Sequence, residues 1–181
     1  MKILTVMGNG IPNSNTEKLA NSFIKGSIEA GHEVEKVRLN KINDCLGCGS
    51  CQKNGNKCVQ KDDMTDLYQK FLDSEVLALA SPLYFWSISG RLKNFIDRLY
   101  AISVKDTYPE KKTILLMTSG DDKTWTFDQA VSYYHKLTQI FGGHDLGMCL
   151  AGGCTGCEEE KRDIPEHYLE EAYQLGKALS L

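Results

Sequence analysis

The chain has 181 residues, enough for one domain with a sizeable core. Hydrophobic residues make up 41% and charged residues 25%, and the formal net charge of -3 gives no basic excess for nucleic acid or a polybasic membrane contact. The seven cysteines are an odd number, and the apolar run in Met1–Gly8 is too short for an export signal or a membrane span. The expectation is therefore a cytoplasmic protein with reduced thiols, metal ligands or redox groups, without a disulfide framework.

Strand and helix patterns alternate along the chain. Lys2–Met7 reads as a strand, Thr16–Ala30 as a helix, and Glu33–Leu39 as a second strand with Gly31 at the helix exit. Residues 41–61 form a cysteine-rich insertion without a clear period, and long loops in compact domains are usually functional. Asp63–Leu72 reads as a short helix, with Asp62 or Asp63 available as its cap instead of as a cation ligand. Glu75–Ala80 is the third strand, broken at Ser81-Pro82, and helical spacing resumes from about Ile88 to Ala101. Asp97 and Arg98 are read as stitching that helix to a neighbour. Lys112–Thr118 is the fourth strand, Thr126–Phe141 a helix closed by Gly142-Gly143, His144–Leu150 the fifth strand, and a last helix starts near Pro165. Five strands with intervening helices predict a single three-layer α/β sandwich over residues 1–181.

Loops at the carboxyl ends of parallel strands are where such sheets bind ligands. After the third strand stand three adjacent aromatics, Tyr84, Phe85 and Trp86, where small polar turn residues are usual. Flat side chains with a run of backbone N–H groups suit a planar, hydrogen-bonding ring, and a flavin is the first candidate. After the first strand, Gly8-Asn9-Gly10-Ile11-Pro12-Asn13-Ser14-Asn15-Thr16 leads into a helix. Its small residues leave N–H groups for an anion, and the helix N-terminus adds partial positive charge. The competing reading is an N-capped turn, with Ser14 or Asn15 as cap. Neither the Gly-x-Gly-x-x-Gly pattern nor a Walker loop is present.

Three pieces together resemble the flavodoxin-like NAD(P)H-dependent FMN reductases, and especially their iron–sulfur flavoprotein branch. They are Gly8–Leu19 with Asn15-Thr16-Glu17-Lys18-Leu19, Cys45–Met64, and Pro82-Leu83-Tyr84-Phe85-Trp86-Ser87 followed by Leu92-Lys93-Asn94-Phe95-Ile96-Asp97-Arg98. The resemblance implies a flavodoxin-like sheet in strand order 2-1-3-4-5. It also implies that Asn9, Ser14, Asn15 and Thr16 hold an FMN phosphate and that Pro82, Leu83, Tyr84, Phe85, Trp86 and Ser87 line the ribityl chain and ring. Thr118, Ser119, Gly120 and Asp121 would close the other side. Asn9-Gly10-Ile11 stands where the family usually has Ser-Pro-Arg. The missing guanidinium predicts weaker FMN retention than in arginine-bearing relatives.

Cys45, Cys48 and Cys51 are spaced Cys-x-x-Cys-x-x-Cys, and Cys58 follows after six residues. Thiolate-only ligation suits an Fe–S cluster or zinc, with free or transiently oxidised thiols as a third possibility. The resemblance implies a [4Fe-4S] cluster there. Cys149 is read as facing the sheet interior, and Cys154 with Cys157 as two thiols on a loop. The histidines, His32, His135, His144 and His167, are scattered without ligand spacing, and Ser87 and Ser119 lack a hydrolase elbow.

The function implied is an oxidoreductase (EC 1.-) passing electrons from NAD(P)H through FMN to a quinone, another flavin or a similar small acceptor, with no side chain as obligatory catalytic acid. Its rivals are a non-enzymatic electron carrier with FMN and [4Fe-4S], serving ferredoxin-like partners, and a zinc- or thiol-based redox sensor. An exposed aromatic loop of this size predicts a homodimer or homotetramer.

Overall fold

The structure is a computed structural model that describes residues 1–104, 107–154 and 163–180. Strands β1 (Lys2–Met7), β3 (Val76–Tyr84) and β5 (Lys112–Thr118) are buried through nearly all their length up to the carboxyl end. Their apolar runs do not alternate because both faces of the sheet are covered. They are flanked by β2 (Glu33–Arg38) and β6 (His144–Ala151) in the order β2-β1-β3-β5-β6, with every neighbouring pair parallel. These five strands follow the order expected for a flavodoxin-like sheet.

Alternate residues feed two cores. Leu4, Val6, Leu77, Leu79, Leu115 and Met117 pack under α3 (Met64–Asp73), α4 (Gly90–Arg98) and α5 (Asp128–Ile140). Ile3, Met7, Val76, Ala78, Ala80, Ile114 and Leu116 pack under α1 (Asn15–Glu29) and α6 (Glu166–Lys177). The last two helices nearly touch through their backbones. A Cβ on Gly26 would lie 2.1 Å from the Tyr173 carbonyl oxygen, and one on Gly176 would lie 2.2 Å from that of Phe23. Only glycine at both positions permits this approach.

Three local features depart from the sequence-based expectation. β3 does not stop at Ala80. Ser81 and Pro82 stay in register with Met117 and Thr118 of β5, since the fixed φ of proline suits a strand and only its N–H is lost. The chain then reverses through a two-residue turn into β4 (Ser87–Ile88), which pairs antiparallel with Leu83 and Tyr84. The expected loop 82–87 is thus a strand end and a hairpin. α4 begins at Gly90 instead of Ile88 and passes at Leu99–Ile102 into a 3₁₀ turn. The cysteine-rich insertion contains one short helix, α2 (Ser50–Lys53).

Candidate functional site

The loop after β1 is held mostly by its own side chains. Asn9 is 3% exposed and donates its amide to Ile11 O at 2.7 Å and to Ser14 Oγ at 2.9 Å. Ser14 caps α1 by accepting the Glu17 N–H. The Thr16 and Thr118 hydroxyls lie 2.6 Å apart and bridge the ends of the first and third loops, while Asn15 donates to Cys154 O. Gly8 packs so tightly between Ala80 and α4 that a Cβ would meet Ser89 Oγ at 2.6 Å. Ser89 in turn caps α4 and donates to Gly8 O.

Glu17, in the first turn of α1, would oppose an anion if it were unpaired. Burial alone would push its carboxyl up, but hydrogen bonds from Arg38, the Asn13 N–H and Lys36 outweigh this and bring the pKa down to about 2. Arg38 also donates to Ile11 O at 3.2 Å. Arg91 donates to Leu39 O and Asn40 O, and its Nε would lie 3.2 Å from a Cβ on Gly10. Two guanidiniums therefore flank a loop that carries none of its own.

The three loops enclose a continuous trough. One part, about 180 Å³, is lined by Ser14, Asn15, Thr16, Pro82, Leu83, Tyr84, Thr118, Ser119, Gly120 and Cys154. The other, about 300 Å³, is lined by Leu83, Phe85, Trp86, Ser119, Gly120, Asp121 and Thr126. Leu83, Ser119 and Gly120 belong to both. Of the residues anticipated for a flavin, Asn9 and Ser87 line neither part: Asn9 is buried inside its loop and Ser87 pairs with Tyr84. The Ser119 N–H donates to Ala151 O at 2.8 Å and so is not available to a ligand at this rim.

The aromatic turn is strained. Phe85 and Trp86 adopt φ of +47° and +58°, the left-handed region in which hairpins usually place Asn-Gly. The turn leaves Phe85 94% exposed and stacks Trp86 on Trp125 with centroids 6.1 Å apart. Two contributors were not read from the sequence, Cys154 and Thr126. Cys154 is buried and lines the trough floor beside Asn15, and burial pushes its thiol pKa up. Thr126 is 1% exposed and lies beside Asp121, outside hydrogen-bonding geometry. Cys154 reaches the trough from a segment distant in sequence, whereas Thr126 follows Asp121 by five residues in the loop after β5 and carries no motif of its own. Cys157 lies outside the described residues.

A second cavity, about 270 Å³, is lined by Cys45, Cys48, Cys51 and Cys58 together with Tyr100. These four thiols are free, and hydrogen bonds from the Ser50 hydroxyl and N–H draw the Cys48 pKa below its usual value. Among the described residues, no three Cys, His, Asp or Glu side chains converge closely enough to hold an ion. The four cysteines share one cavity and offer the thiolate-only donor set that an Fe–S cluster or zinc takes.

The loop's base is closed by a buried ion pair. Arg98 meets Asp62 through two hydrogen bonds of 2.8 and 3.1 Å, with side chains 1% and 5% exposed, and also donates to Asn43 O. Asp62 accepts the Asn43 and Met64 N–H groups. Arg98 thus ties α4 to the cysteine insertion, whereas among the described residues Asp97 forms its ion pair along the helix with Lys93 instead of with a neighbouring element. The nine-residue α4 runs from its cap Ser89, which donates to Gly8 O in the first loop, to this clamp, a rise of about 14 Å.

A fold of this order, with its loops gathered at the carboxyl ends of β1, β3 and β5, defines a flavodoxin-like scaffold. The chain belongs to the NADPH-dependent FMN reductase family, which matches residues 1–153. It is 30% identical over 183 residues to an iron–sulfur flavoprotein of Archaeoglobus fulgidus, covering 99% of this chain and 79% of that protein. Its fold resembles an NAD(P)H:quinone oxidoreductase from Methanothermobacter marburgensis, with a TM-score of 0.75, 18% identity and coverage of 100% and 96% of the two chains. It likewise resembles an FMN-dependent NADH-azoreductase from Bacillus anthracis solved with FMN, with a TM-score of 0.69, 16% identity and coverage of 98% and 96%. Among the described residues no helix is long and apolar enough to cross a membrane.

Proposed function

We propose that this chain binds FMN in the trough and passes electrons from NAD(P)H to a quinone, flavin or similar small acceptor. The observation that carries the reading is the joining of the three loops around one trough that is aromatic at one end and framed by a helix N-terminus at the other. Bound FMN supplies hydride acceptance from a nicotinamide and release of electrons singly or in pairs. The protein's share is orientation. The Thr16–Thr118 bridge fixes the spacing of the flanking loops, and the N-terminus of α1 would hold the phosphate, with Glu17 neutralised by its two cations. The stacked Trp86 and Trp125 keep water from the ring's edge, and the exposed face around Phe85 is the seam of a homodimer or homotetramer. The phosphate grip is weaker than in relatives with a loop arginine, because Arg38 and Arg91 already serve backbone carbonyls.

The cysteine cavity favours a second reading, an electron carrier of the iron–sulfur flavoprotein type. Cys45, Cys48, Cys51 and Cys58 would hold a [4Fe-4S] cluster, which would supply one-electron transfer to a ferredoxin-like partner. Anaerobic purification, visible absorbance and iron and zinc assays test both cofactors. Stopped-flow mixing with NADH or NADPH then separates the readings. Rapid bleaching of the flavin band supports the reductase, whereas a coloured protein that neither nucleotide reduces is a carrier. Colourless protein that gives no calorimetric heat with FMN refutes both.

A further inference from the structure

A cavity of about 580 Å³, the roomiest of those described, lies away from the trough between α3, the 55–61 segment and the chain after the 3₁₀ turn. That volume falls in the range of small-molecule sites. Its walls are apolar, formed by Leu72, Ile102, Val104, Pro109 and the Tyr68 ring, yet Leu72 and Val104 stay 44% and 59% exposed. Apolar surface left open in this way calls for a partner that covers it.

Asn56, Thr65 and Gln69 add neutral polar groups, and the charged groups among the described lining residues are both cationic. Lys57 and Lys61 stand at this cavity, and among the described residues no carboxylate lines it and neither lysine forms an ion pair. At the back, Tyr68 donates to Arg98 O at 3.0 Å. Cys58 lines both this cavity and the four-cysteine cavity.

We infer that this cavity is a second small-molecule site, taking an organic anion with an apolar or aromatic body whose charge meets Lys57 and Lys61 and whose body rests against Leu72 and Tyr68. A ligand seated there would meet Cys58, which also lines the four-cysteine cavity. The site is independent of the flavin reading, since it shares no residue with the trough.

The test is calorimetric titration of the full chain with anthraquinone-2-sulfonate, before and after saturation with FMN. The expected result is one saturable site that survives FMN. It weakens by about tenfold or more in Lys57→Glu/Lys61→Glu, which reverses the charge, and in Leu72→Trp, which fills an exposed position without touching the core. Both variants should keep the parent's FMN content and sedimentation coefficient. No saturable heat, unchanged affinity in both variants, or displacement of the probe by FMN overturns the inference. So does a change of oligomeric state in Leu72→Trp, which would make this face a contact between copies. Protein that fails to bind FMN at all sinks only the function proposed above, because the probe and variants still report on this cavity.

Discussion

Glu17→Gln tests whether the first loop is held electrostatically from beneath. The carboxylate accepts the Asn13 N–H at 2.7 Å and meets both Lys36 and Arg38, and Arg38 continues to Ile11 O. A native pKa of about 2 against the usual 4.5 corresponds to about 3 kcal/mol at ~1.4 kcal/mol per unit. Lys36 and Arg38 are 38% and 20% exposed, so solvent screening brings the expectation to about 1.5 kcal/mol. In a domain of this length that is a loss of ~3–6 °C in Tm. Because the native value is depressed, this stabilisation is fully present above pH 4.5 and fades as pH falls toward 2. Urea unfolding at pH 7 and pH 3 should show the gap between parent and variant shrinking by more than half. A gap that is the same at both pH values, or absent at pH 7, would refute the electrostatic account of the loop.

Gly176→Ala drives a methyl into the Phe23 carbonyl, and the cost should be about 3 kcal/mol, or ~6–12 °C in a thermal melt. Arg98→Met leaves Asp62 buried without its partner, a loss of about 3–5 kcal/mol. Adding Asp62→Asn should recover a large part of it, and proteolysis within residues 44–61 should rise in the single variant only. Replacing Phe85-Trp86 with Asn-Gly relieves two left-handed aromatic residues and should stabilise the fold by about 1 kcal/mol in urea unfolding, while FMN affinity falls.

The buried strands were readable because covering both faces of a sheet demands uninterrupted apolar runs, as in 75–80 and 112–118. The end of β3 was not, since Ser81-Pro82 reads as a break until β5 is seen holding both in register. Spacing alone placed Cys45, Cys48, Cys51 and Cys58 around one cavity. The hydroxyl bridge from Thr16 to Thr118 and the pairing of Arg98 with Asp62 depend on contacts across 102 and 36 residues, which no local pattern encodes. An arginine among the apolar positions of α4 was the available signal. Its burial requires a buried acid, and Asp62 had been assigned a cap, which it also supplies to Met64.

The aromatic hairpin shows why local chemistry and fold disagree where ligand would sit. Asn-Gly would turn the chain from β3 into β4 at lower cost, and β4 is only two residues long, so the hairpin contributes little to the sheet. Strain kept in so short an element is held by something outside it. Within the chain the compensation is Trp86 against Trp125, worth about 0.5–1.5 kcal/mol, less than two left-handed aromatics cost together. On the proposed function, a flavin packed against Phe85 in the trough would supply the remainder. It follows that a ligand seated in the trough should narrow the stability difference between parent and the Asn-Gly variant. Urea unfolding with and without saturating FMN measures that difference directly, and an unchanged gap would mean the strain serves something other than the flavin.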